Sequence, residues 1–292
     1  MATPTQPPRL HLIRSAQANH NTSLANHQIR DPLLTPTGGL QARHLRHAIP
    51  PSIRDRIGFF AASPLRRTLY TALLAFEDLL LPEGREEGLM STGIGTDPLP
   101  IPESGLSVSH NTPRFPVFAV AEAQTVSDRP CDTGSHRDQL VAVFNVVDGP
   151  WIYLVSMAHL RKDWFIKKSK WATDEAMVKA RAAAVRRWCR KKLAGLEGEK
   201  RDMVLVTHGT FLHYLTQDWS GYEEVAETGW ENSEVRSFQF VDGLRTDDDD
   251  AKIEETEESK QYREKNGPMC GLDGSLETEE LAPARDAIAF EH

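Results

Sequence analysis

Three stretches of this chain are built alike, and that repetition limits the fold more than any other feature. LHLIR (10–14), IGFFAAS (57–63) and MVLVT (203–207) are almost wholly apolar and strand-length, the pattern of strands buried on both faces of a sheet. Each runs into a polar turn, Ser15 to Asn21, Ser63 to Thr68 and His208-Gly209, with a helical pattern behind it. Strands of this kind bring their ends together only in a largely parallel sheet, with helices as the connections. The expected class is therefore α/β, with chemistry at the carboxyl ends of the strands.

Taken in order, residues 1–8 are Pro- and Thr-rich and read as disordered. A strand at 9–14 follows. Thr35-Pro36 sets up a helix start, with Leu40, His44 and Ala48 expected along one side. Leu65, Leu69, Ala72, Leu73, Phe76, Leu79 and Leu80 form a stripe at helical spacing behind the second strand. Residues 82–115 are rich in Gly, Pro and Ser without a period; they read as an insertion, either an ordered cap over a site or a flexible segment.

VFAVAEA (117–123) reads as a further strand, followed by the loop VSDRPCDTGS (126–135), a helix near 137–146, and a stretch carrying Trp151, Tyr153, Trp164 and Phe165. Thr173 to Leu193 reads as a long helix with Met177, Ala180, Ala184 and Trp188 on its inner face. The basic run Arg186, Arg187, Arg190, Lys191 and Lys192 reads as a solvated helix end that complements the helix dipole. VRSFQFV (235–241) alternates like a last strand. Residues 243–292 are acidic with few apolar anchors, and the expectation is a disordered tail behind a domain spanning 9–242.

Composition narrows the function. The chain has 292 residues, enough for a sizeable core, and a formal net charge of −8 that sits mostly in the tail. That balance argues against a nucleic-acid or anionic-membrane partner. Three scattered cysteines, Cys131, Cys189 and Cys270, make neither a disulfide framework nor a zinc site. No metal and no cofactor is expected. MATPTQPPRL lacks the apolar run of a signal peptide, and no stretch reaches the roughly 18–20 apolar residues of a membrane span, so the expected location is cytoplasmic. The sequence does not speak to oligomeric state.

At the strand ends the converging side chains would be Arg14, Ser15, Asn21, Arg67 and His208. An Arg at a strand end is often a surface ion pair and a lone His often structural. Two guanidiniums, an amide and an imidazole together make a site for a phosphate, a carboxylate or an enolate.

These residues, with TPTGGLQA, SPLRRTLYTA, CDTGS, KSKWATDEA, VTHGTFLHYL and ENSEVRSF, resemble the histidine phosphatase superfamily, the phosphoglycerate mutase-like proteins, and most of all a fungal, cytosolic branch. The resemblance spans residues 10 to about 241 and implies a three-layer α/β/α sandwich around a mostly parallel sheet. It implies that Arg14, Arg67 and His208 hold a phosphoryl group, that Asn21 assists, and that position 15 is the nucleophile. Two positions depart from that pattern. The signature Arg-His-Gly followed after four residues by Asn reads here Arg14, Ser15, Ala16 and then Asn21, and Thr125 stands where the resemblance places an acid glutamate. Glu122, three residues earlier, would face the other way on a strand.

A neutral imidazole attacks phosphorus to give a labile phosphohistidine, whereas a serine hydroxyl is protonated at neutral pH and gives a far more inert ester. Two function classes follow. One is a divergent enzyme in which His208 acts as a neutral general base and the arginines steady an oxyanion, for dehydration, cyclisation, isomerisation or hydrolysis of a small oxyanionic or carbonyl substrate, as in fungal secondary metabolism. A Ser15–His208 dyad is a hydrolase variant of it. The other is a pseudophosphatase that binds a phosphorylated ligand or a protein partner without turnover; weak phosphatase activity by a rewired site is the remaining reading.

Overall fold

The computed structural model describes residues 6–80, 115–144, 154–244 and 249–270. Seven strands form one sheet: β1 (Leu10–Arg14), β2 (Ile57–Ala62), β3 (Val117–Ala119), β4 (Val155–Ser156), β5 (Asp202–Thr207), β6 (Val235–Phe240) and β7 (Ile253–Glu255), in the order β4-β3-β2-β5-β1-β6-β7. The first five strands of that order pair in parallel, and β6 and β7 add antiparallel at one edge. The helices are α1 (Pro36–Ala48), α2 (Pro51–Arg54), α3 (Arg66–Leu80), α4 (Arg137–Phe144), α5 (Glu175–Ala194), α6 (Gly209–Thr216) and α7 (Glu257–Asn266).

The strand period of two divides the core into two halves. In β5, Val204 and Val206 pack into the half that holds Leu45, Leu69, Leu73 and Phe76 of α1 and α3. Met203 and Leu205 of the same strand join Val178, Val185, Cys189, Phe211 and Leu212 of α5 and α6. The protein is thus a three-layer α/β/α sandwich with a mostly parallel sheet, as the motifs implied. Every residue of β5 is buried, which explains why its sequence runs apolar without alternation.

Parallel registry fixes where the strands stop. Arg14 lies opposite Thr207, and Ala62 opposite Val206. The chain continues that pairing for one more residue, with Ser15 N donating to Thr207 O (2.8 Å) and Ser63 N donating to Val206 O (2.9 Å). The loop after β1 then runs beneath α1, whose Thr35 cap accepts from Gly38 N (3.0 Å). A Cβ at Gly38 would stand 1.9 Å from Gln17 O, so only glycine lets the helix approach this loop so closely.

Several expectations are corrected. β3 ends at Ala119, and Ala121–Ala123 is a 3-10 turn instead of more strand. The buried face of α1 is Gly38, Gly39, Ala42 and Leu45, and that of α5 carries Val178, Ala182, Val185, Cys189 and Leu193. The stripe read from Met177 is one residue, about 100°, out of step; in an alanine-rich helix several faces share the same spacing. Nor is the basic end of α5 wholly solvated. Arg186 is 3% exposed, gives Nη2 to Asp250 Oδ1 (2.5 Å) and caps the carbonyl of Leu215 (3.2 Å).

The tail expectation also changes. Residues 249–270 dock on the sheet: β7 covers the β6 edge, Ala251 and Ile253 are 1% and 2% exposed, and Thr256 caps α7 by accepting from Ser259 N (3.3 Å). Two apolar anchors and the Arg186–Asp250 pair offset the ordering entropy that the acidic composition alone could not. At the other end, Arg56 Nη2 donates to Pro7 O (3.0 Å), so the chain joins the fold from residue 6 on. The 82–115 insertion and Trp151 and Tyr153 fall outside the described residues, apart from Phe115.

If β7 is a core strand, Ile253→Ala leaves a cavity and lowers the unfolding free energy in urea by about 2–4 kcal/mol. An unchanged midpoint would show that the strand is not docked.

Candidate active site

All six sequence-chosen residues, Arg14, Ser15, Asn21, Arg67, Thr125 and His208, line one cavity of about 480 Å³ at the carboxyl ends of β1, β2 and β5. Arg14 ends β1, and His208 stands at the N-cap position of α6, whose positive dipole end faces the cavity. Arg67 lies in the first turn of α3. Asp31, fully buried, anchors that turn by accepting from Arg66 N (2.9 Å), and holds the 126–135 loop by accepting from Ser135 N (3.0 Å).

Both guanidiniums are engaged, Arg67 buried and Arg14 half-buried. Arg67 donates Nη1 to Cys131 O (2.8 Å) and Nη2 to Asp132 Oδ1 (3.0 Å), while its Nε has no partner. Arg14 donates to Trp230 O, and burial lowers its pKa to about 10 against the opposing pull of Glu231 and Glu234. Two cations this close favour an anion between them, because it removes their repulsion and meets donors that lack acceptors.

His208 Nε2 lies 2.8 Å from Ser63 Oγ and its buried Nδ1 has no partner. The structure therefore pairs this imidazole with Ser63 and does not form a Ser15–His208 dyad. Burial first, then Arg67 and Lys167, hold the His208 pKa well below its usual range. Ser15 is buried, and its hydrogen bonds run through the backbone; its carbonyl accepts from Asn232 Nδ2 (3.1 Å).

Thr125 stands over the cavity with Oγ1 donating to Asp132 O (2.9 Å). Glu122 is no substitute acid: its 3-10 turn sends the carboxylate to Lys170 Nζ, 3.5 Å away and outside the cavity. The reason is that turn, not the strand alternation expected.

Three neighbours were not expected. His20 lines the cavity one residue before Asn21. Asn21 Oδ1 accepts from Ala18 N (2.9 Å), so its amide nitrogen is the group facing His20 Nε2 at 3.3 Å. That arrangement leaves the ring proton on Nδ1, which is buried without an acceptor. Burial, with help from Arg67 and Arg14, lowers the His20 pKa to about 2. A histidine inside the first polar turn was the available signal. Asp132 lies on the cavity wall against Arg67. Lys167 donates to Gln124 Oε1 (2.7 Å) and Thr125 Oγ1 (3.2 Å), and burial lowers its pKa to about 7; nothing in FIKKSK distinguishes it from its neighbours.

An α/β protein with a cationic pocket at its strand ends is the class that fold and site define. Residues 10–97 match the model of the histidine phosphatase superfamily (branch 1). No curated protein matches it. Among solved structures it is similar to mycobacterial hydrolase 2, at 17% identity over 98% of both chains with a TM-score of 0.46. It is also similar to a mycobacterial glucosyl-3-phosphoglycerate phosphatase, at 17% identity over 85% of this chain and 97% of the other with a TM-score of 0.43. A phosphoserine phosphatase mutant from Entamoeba histolytica has 15% identity over 85% and 95%, with a TM-score of 0.42. Among the described residues no helix is long and apolar enough to cross a membrane.

An imidazole held neutral in the folded chain, but titrating near its ordinary value of about 6.5 when unfolded, makes the unfolded chain bind more protons as pH falls, so stability drops on acidification. Between about pH 7.5 and 5, His208→Gln should remove about 2 kcal/mol of that loss, read by urea unfolding at both pH values. An unchanged pH dependence in the variant would show that folded His208 does protonate.

Proposed function

We propose that this chain is a divergent histidine-phosphatase-fold enzyme of the cytoplasm that no longer works through a phosphohistidine. Its Arg14, Arg67 and His208 take a small oxyanionic or carbonyl substrate. The observation that carries this reading is the set of two guanidiniums and two neutral imidazoles around one cavity, with Ser15 at the nucleophile position. Neutral His208 is the general base, and its Nδ1 has no protein partner to displace. The guanidiniums, the His20 Nδ1–H group and the α6 terminus steady charge that develops on oxygen. Dehydration, cyclisation, isomerisation and hydrolysis, of the kind found in fungal secondary metabolism, all fit this equipment.

Binding without turnover is the second reading. The Arg67–Asp132 pair favours it, because a carboxylate already neutralises one of the two cations and the walls around it are largely polar, Asn21, Ser23, Thr210 and Asn232 among them. A panel of phosphomonoesters separates the readings from ordinary phosphatase chemistry. The parent should release no phosphate, and a Ser15→His, Thr125→Glu double variant should release it, because the anion-binding groups are in place. Phosphate release by the parent at a rate of about 1 per second or more, ordinary for an enzyme, would overturn the proposal.

A further inference from the structure

The rim of the cavity differs in chemistry from its floor. Leu24 and Val225 are 82% and 99% exposed, more than any other large apolar side chain among the described residues, and both line this cavity. A single exposed apolar side chain carries no message, whereas two at one mouth form a contact surface.

Neither is a loose end. Leu24 opens the 3-10 turn Leu24–Gln28, capped by Ser23, and Asn26 Nδ2 in that turn donates to Asn19 O (3.0 Å) and Thr22 Oγ1 (2.8 Å). Val225 lies in a loop closed by the Glu223–Thr228 bridge. The loop is held by Thr210 Oγ1 donating to Glu227 O (2.7 Å) and by the two-point Arg129–Glu227 ion pair (2.7 and 3.0 Å). Both side chains are thus fixed in water beside a floor of buried cations, at an energetic cost that an apolar ligand would relieve.

We propose that the site selects an amphiphilic anion: an oxyanion head on Arg14 and Arg67, with an alkyl or aryl body lying against Leu24 and Val225. This rests on the reading of the cavity as an anion site. It excludes compact, fully polar phosphates as the preferred substrates, since these would leave the rim in water.

The test is calorimetric titration of the full chain with inorganic phosphate and then with methyl-, butyl- and octylphosphonate, which do not hydrolyse. Affinity should rise with chain length, by about two- to four-fold for each methylene that reaches the rim. In a Leu24→Ser, Val225→Ser double variant the ratio of octyl- to methylphosphonate affinity should fall about ten-fold or more. A flat series in a parent that binds phosphate overturns the amphiphile and leaves the anion site standing, as does an unchanged ratio in the double variant. Failure of the parent to bind phosphate or any phosphonate, or equal binding by Arg14→Ala, overturns the anion site itself and this inference with it.

Discussion

The insertion of β5 between β1 and β2 is the constraint on which the rest depends. The two outer strands are near in sequence but cannot pair with each other, and the strand that joins them arrives some 190 residues after β1. Its alternate residues supply both halves of the core. Because all three strands run in parallel and end in register, Arg14, Ser63 and His208 emerge side by side. The cavity is thus a consequence of sheet registry, and a slip of one residue would turn its side chains into the opposite layers.

Electrostatics inside that cavity then follow from burial. Burying Arg67 fully and Arg14 in part makes the space beside them costly for any further positive charge. Their own burial first, and Arg67 after it, keeps His20 and His208 neutral and takes much of the basicity from Lys167. Burial of each group, reinforced by the neighbouring Arg67, therefore produces three neutral or nearly neutral bases. An entering oxyanion would reverse the sign of that pressure, so binding and proton uptake at these groups are coupled.

What could be read in the sequence was whatever a strand end fixes. Arg14, Ser15 and His208 follow directly from apolar runs that stop, and Arg67 from the turn behind the second run. Lys167 and Asp132 come from irregular segments in which no period sets direction, so their convergence on Thr125 and Arg67 was not legible. The face of α5 failed for a different reason: in a helix this rich in alanine, apolar spacing does not choose one side, and the partner layer does. The tail failed because composition counts charges, while docking needed only Ala251, Ile253 and one carboxylate for Arg186.

The pocket's two kinds of residue are under unequal structural pressure. Replacing Arg67 would strip a partner from Asp132, which keeps Ser127 Oγ, and from the Cys131 carbonyl, which costs about 1–3 kcal/mol where a buried group is left unpaired. Position 15 has no such tie, since its bonds to Thr207, Asn232 and Ser233 pass through the backbone. The fold therefore holds Arg67 in place for its own stability, while the side chain at position 15 carries no hydrogen bond that the fold depends on. An intact pair of arginines is accordingly weak testimony for turnover. The identity of residue 15 and the unsatisfied nitrogens of His20 and His208 carry the chemical information, because the fold gains nothing from them.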